Sequence, residues 1–141
     1  MKTLKSIMLG LALLLMGGVA NAARPAASAL SKNDVLDIYT NAVIHGKIAG
    51  LDQALSKNVE WKMYRGDKLF KLDKQAIMDS FKASENVEQT CKFTTSTVEN
   101  NDDTMVIKLD MKYDTYTRST LVTFKQDKND WKITSIETRA L

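Results

Sequence analysis

Thr104–Tyr116 reads TMVIKLDMKYDTY, and no other stretch is so clearly patterned. Met105, Ile107, Leu109, Met111 and Tyr113 alternate with Val106, Lys108, Asp110, Lys112 and Asp114. Strict period two over this length predicts a strand with one dry face and one wet face. A long strand of this kind needs neighbours on both edges and an apolar layer over its dry face.

The sequence on either side supplies both. Downstream, Arg118–Gln126 carries Leu121, Val122 and Phe124 as its apolar members, and Trp131–Thr138 carries Ile133 and Ile136. Upstream, Val87–Val98 places Val87, Cys91 and Phe93 on one face, with Glu88 and Lys92 on the other. Turns at Asn100-Asn101-Asp102, Thr115–Thr117 and Asp127–Asp130 link these runs into a four-strand meander. Cys91 is expected to be buried and inert, because it shares its face with Val87 and Phe93.

The layer comes from the N-terminal half. Ser31 can cap a helix, with Asp34 reaching back to it. Val35, Ile38, Tyr39 and Ala42 follow at helical spacing, Leu36 and Val43 widen the stripe, and Gly46 ends it. A short second helix is expected over Ile48–Leu55. Val59–Tyr64 reads as a strand, Arg65-Gly66-Asp67 as a hairpin turn and Lys68–Leu72 as the return strand. Asp73 then caps a third helix with Ile77, Met78 and Phe81 on its apolar side. Helices first and strands last give an α+β fold, with the helices packed in the concave face of a curved, mainly antiparallel sheet. Such a sheet leaves a cone whose open end is a pocket.

The first residues read differently. Lys2 and Lys5 precede an apolar run, Ile7–Met16, and Ala20-Asn21-Ala22 has the small-x-small form of a cleavage site. The expectation is a signal peptide over residues 1–22, a flexible tail over 23–30 and one domain over 31–141, located in the periplasm or secreted. No membrane association is expected after cleavage. Lys2 and Lys5 supply two units of the formal net charge of +3, so the mature chain is close to neutral. Mixed signs near neutrality give no electrostatic basis for binding nucleic acid. One histidine and one cysteine cannot form the usual metal-ligand cluster, and no metal or cofactor is expected.

This order of elements resembles the nuclear transport factor 2-like superfamily, which includes ketosteroid isomerase, SnoaL-like polyketide cyclases and lumazine-binding-like exported domains. The resemblance spans Val35–Arg139. It is carried by YTNAVIHGK at the end of the first helix, GLDQALSKNVEW around the second and WKITSIE in the closing strand. It implies a cone-shaped fold, and a comparison with the isomerase tests its chemistry. That enzyme uses a carboxylate base and an oxyanion hole of a tyrosine and a protonated aspartate. Tyr39 matches the tyrosine, but Met63 stands in the slot of the base and Val122 in that of the aspartate. The two carboxyl groups are missing, so no catalytic residue is carried over.

Several residues admit two readings. Tyr39 is either a donor into the pocket or a core tyrosine. His45 suits the end of a helix, where a cation is favoured. Asp110 and Asp114 alternate with lysines on the wet face, as solvated cross-strand pairs do. Arg65-Gly66-Asp67 spells an adhesion tripeptide, but a tight turn demands the same residues. Trp61 and Met63 share a strand face that is either pocket wall or core. With Met111 and Tyr113 from the dry face of the organising strand, and with Tyr39 and Val122, they form the expected ligand-binding set. The expected function is non-catalytic binding of a small, mostly apolar or aromatic molecule. The alternatives are an enzyme of the same fold with an unrecognised site, and a homodimer or adaptor working through a polar outer face that carries Glu88, Lys92, Lys108, Asp110 and Lys112.

Overall fold

The computed structural model describes residues 28–141. The expected leader, residues 1–22, and residues 23–27 of the connector lie outside them. The organising strand, here β4, runs Thr104–Lys112, and Met105, Ile107, Leu109 and Met111 are all buried on its dry face. It stops before Tyr116 because the chain turns back: the Tyr113 N–H donates to the Tyr116 carbonyl at 2.9 Å.

Its partners are β3 (Lys92–Asn100) on one side and β5 (Thr117–Asp127) on the other, with β6 (Asp130–Ala140) closing the meander. The remaining strands are β1 (Leu55–Arg65) and β2 (Lys68–Leu72), joined by a two-residue turn at Gly66-Asp67. Gly66 has φ +59, which this turn requires. The six strands lie in the order β2-β1-β6-β5-β4-β3, with only β1 and β6 parallel.

The register fixes which side chains share the inner face. One row is Trp61, Ile136, Val122 and Ile107; the next is Met63, Thr138, Thr120 and Leu109. Beyond it Arg118 lies opposite Met111. Ile133 and Ile136 are three residues apart, yet both are fully buried. The pairing shifts between Thr123 and Phe124, which places Ile133 opposite Phe124 and Ile136 opposite Val122.

Three helices cover part of this face: α1 (Lys32–His45), α2 (Leu51–Ala54) and α3 (Lys74–Ala83). At the start of α1 the Ser31 hydroxyl accepts from the Asp34 N–H, and the Ser31 N–H donates to the Asp34 carboxylate at 2.8 Å. Val35, Tyr39, Ala42 and Ile44 form its buried stripe. Asp73 caps α3, which buries Ile77, Met78 and Phe81. Leu30 is tied to β6, its N–H donating to Asp130 and its carbonyl accepting from the Trp131 N–H. Among the described residues no helix is long and apolar enough to cross a membrane.

Several expectations are corrected. The helix over Ile48–Leu55 shortens to Leu51–Ala54, because Leu55 already opens β1 and pairs with Ile133. Leu121 faces outward between Lys108 and Glu137, and Thr120 takes the inner position. The strand starting at Val87 begins only at Lys92, and all of β3 is exposed. Val87 and Phe93 are therefore exposed, and Cys91 is half-buried rather than enclosed. The physical reason is coverage: α1, α2 and α3 pack on β1, β2 and β6, leaving β3 as an edge beyond the helical layer. Glu88 leaves the expected outer sheet face and pairs with His45 at the end of α1.

Candidate functional site

The helices and the sheet part at the Arg118 end of the concave face, and a cavity of about 120 Å³ lies between them. Tyr39, Ala42 and Val43 reach it from α1, and Ser80, Phe81 and Ser84 from the end of α3. Trp61, Arg118 and Thr120 form the sheet side, while Val87 and Gln89 come from the segment that crosses from α3 to β3. An engineered apolar cavity of about 150 Å³ holds a benzene molecule, so this space suits about one ring.

Gly46 permits that crossing. It ends α1 with φ +65, and the chain beyond α3 passes so close that a Cβ there would sit 2.7 Å from the backbone nitrogens of Asn86 and Val87. The Asn86 N–H donates to the Gly46 carbonyl, and the Gln89 N–H to that of Ile44, both at 2.8 Å. These contacts fix Val87 and Gln89 against the cavity.

The wall is aromatic on one side and polar on the other. Trp61 stacks on Phe81 with ring centroids 5.9 Å apart. The Trp61 indole N–H donates to the Thr138 hydroxyl at 2.9 Å, and the hydroxyls of Thr138 and Thr120 are bonded at 3.0 Å. Tyr39 is 3 % exposed and lines the cavity. Burial pushes its phenol well above the ordinary value, with the Arg118 guanidinium pulling partly back. Tyr39 therefore stays protonated at neutral pH and is available as a donor.

Arg118 is held by soft neighbours. Its Nη2 donates to the Met111 sulfur at 3.2 Å, and its guanidinium lies 5.9 Å from the Tyr113 ring centre. Tyr113 in turn stacks on Tyr116 and donates its O–H to Gln89 Oε1 at 2.7 Å. Burial raises the Tyr113 phenol as well, again against the opposing field of Arg118.

Of the six residues expected to form the binding set, Tyr39 and Trp61 stand in the cavity wall. Met111 and Tyr113 form a second layer through Arg118 and Gln89. Met63 lies between Phe70 and Thr138 on the inner face toward β2, and Val122 is fully buried below the cavity. Sequence reading missed Arg118, Thr120 and Gln89. The first two had a signal: Arg118, Thr120, Val122 and Phe124 alternate, and this places a cation on an otherwise dry face.

No family model matches the chain, and no curated protein does either. Solved structures do. An NTF-2 like protein of unknown function from Silicibacter pomeroyi is 14 % identical with a TM-score of 0.63, over 76 % of this chain and 90 % of that one. An NTF2-like protein of unknown function from Shewanella baltica gives 13 % and 0.59, over 76 % and 88 %. An NTF2-like protein from Cytophaga hutchinsonii gives 14 % and 0.59, over 79 % and 100 %. The fold is nuclear transport factor 2-like. Within this nuclear transport factor 2-like cone, the described residues of the cavity wall include no carboxylate and no imidazole. Tyr39, whose phenol burial keeps protonated, and the Arg118 guanidinium are donors that line it. His45 lies outside the wall, paired with Glu88.

Proposed function

We propose that the protein is an exported, non-catalytic module that holds a small molecule with an aromatic or apolar body in this cavity. The observation that carries the reading is the wall itself: the Trp61–Phe81 stack faces a space of one-ring size, with no group in reach that could accept a proton from carbon. A phenol and a guanidinium that keep their protons donate hydrogen bonds; they do not shuttle protons.

Small-molecule mass spectrometry of the natively purified protein tests the binding. A co-purifying aromatic compound, released by denaturation, is the expected result. Uptake of an environment-sensitive apolar dye, quenched in Trp61→Phe and in Ala42→Trp, checks the location. Isomerase or dehydratase turnover by the wild type, abolished in Tyr39→Phe, would overturn the non-catalytic part. Export rests on the charged, apolar and Ala-Asn-Ala regions of residues 1–22. N-terminal sequencing of the mature protein is expected to start at Ala23, and an intact Met1 would refute it.

A further inference from the structure

We propose that the cavity selects an anion: its ligand is a small planar carboxylate carrying one aromatic ring, with Arg118 as the anchor of the carboxylate. The inference rests on the binding reading above and adds the chemical class of the ligand.

Among the described residues Arg118 has no counterion. No carboxylate among the described residues lies within ion-pair distance of it, although seven ion pairs form elsewhere on the described chain. A guanidinium offers five N–H donors, and the one hydrogen bond it makes ends on the Met111 thioether, a weak acceptor. The sulfur and the Tyr113 ring fix its position without neutralising its charge. A half-buried guanidinium with free donors is matched by a carboxylate, which accepts two parallel N–H bonds in one plane.

The other polar groups of the wall point to the same ligand. Tyr39 is held in its protonated form and stands in the wall, where an O–H can donate. Gln89 spends its carbonyl on the Tyr113 O–H, which leaves its amide N–H groups free to donate. Thr120 can donate from its hydroxyl when Thr138 donates to it. Donors thus dominate, the one formal charge is positive, and no acidic side chain in the wall would repel an anion. The Trp61–Phe81 pair and the cavity volume set the rest of the ligand: one flat ring, with the carboxylate toward Arg118.

The test titrates the full-length mature protein with three probes by calorimetry. Benzoate carries ring and charge, benzyl alcohol the ring alone, and acetate the charge alone. Benzoate is expected to bind about tenfold or more tighter than either of the others, and more weakly as salt is raised. Arg118→Gln, checked for an unchanged fold by circular dichroism, should bring benzoate down to the affinity of benzyl alcohol and leave benzyl alcohol unchanged. The comparison of probes on the wild type needs no variant, so a poorly folding Arg118→Gln does not blunt it. Equal binding of benzoate and benzyl alcohol would refute the anion selection and leave the cavity reading intact. Acetate binding as tightly as benzoate would refute the aromatic part. No binding of any probe at millimolar concentration would overturn both this inference and the binding reading beneath it.

Discussion

The two ends of the concave face are built from the same strands and differ by one step of the pleat. At the closed end, Val122, Phe124, Ile133 and Ile136 are fully buried in one core with Val35 and Leu51 of the helices and Leu55 of β1. Two residues further along β5 and β6, at the same face, stand Thr120 and Thr138, and two further along β5 stands Arg118. Alternation decides which face a side chain takes, and both ends obey it. What separates core from site is the chemistry placed on the inner face. A hydroxyl or a guanidinium is tolerated there only where hydrogen-bond partners or an opening remove the penalty of burial.

The largest effect is expected where that tolerance is absent. Ile136→Asp would place a charge in the core between Trp61 and Val122, with no partner among the described residues and no opening. The cost is several kcal/mol, a large part of the stability of a domain this size. Urea unfolding should show no folded baseline. A folded Ile136→Asp variant would mean that the closed end is as open as the mouth.

Gly46→Ala comes next and acts on the mouth through the backbone. A left-handed φ of +65 costs a side-chain-bearing residue about 1–3 kcal/mol. The approach of 2.7 Å to the backbone of Asn86 and Val87 leaves no flexible atom to yield. The crossing segment must shift, and Val87 and Gln89 with it. Denaturant midpoints should fall and dye uptake should weaken together. A variant with lowered stability and unchanged uptake would separate the segment from the cavity.

A finer contrast uses the two threonines. Thr138→Val removes the acceptor of the Trp61 N–H and the partner of Thr120 at once, leaving buried polar groups unpaired. The expected loss is about 1–3 kcal/mol. Thr120→Val leaves the Trp61–Thr138 bond in place and costs Thr138 one partner, so the loss of stability should be the smaller of the two, about 1 kcal/mol. Equal losses in chemical denaturation would show that Thr120 belongs to the core.

The elements were legible in the sequence because their signals are local. The alternation of Met105–Met111, the Ser31–Asp34 capping box and the Gly46 stop each depend on a few neighbouring residues, and the structure contains them all. The site was legible only in part. Tyr39 and Trp61 stand in its wall, whereas Met63 belongs to the edge near Phe70 and Val122 to the core. Period two assigns a face but not a height along the cone, and height depends on how α1 and α3 sit on the sheet. Arg118 is hard to read for a related reason: apolar members mark the inner face of a strand, while the informative residue is the polar one in phase with them. The exposure of β3 was equally unreadable, since Val87, Cys91 and Phe93 look alike whether or not a helix covers them.

The smallest expected effect is a pH dependence, and it tests how independently the two ends behave. Helix α1 joins them: Ser31 and Asp34 start it beside β6 at the closed end, and Tyr39 and Ala42 reach the cavity. The Ser31 N–H and then the Ser31 hydroxyl hold the Asp34 carboxyl below its ordinary value of 3.8. The folded state therefore binds this proton less readily than the unfolded chain. The stabilisation is fully present above the unfolded value and is lost as the pH falls through the lower folded one. Asp34→Asn keeps the shape and removes the charge. Its melting temperature should lie below that of the wild type at neutral pH, and the gap should close in acid, where the wild-type carboxyl is also neutral. Benzoate affinity at neutral pH should be the same in both, because Asp34 stands at the far end of α1 from Arg118. A gap that persists in acid would mean that the carboxylate charge contributes nothing. A change in benzoate affinity would mean that α1 transmits strain from its cap to the cavity, and that the two ends are one unit.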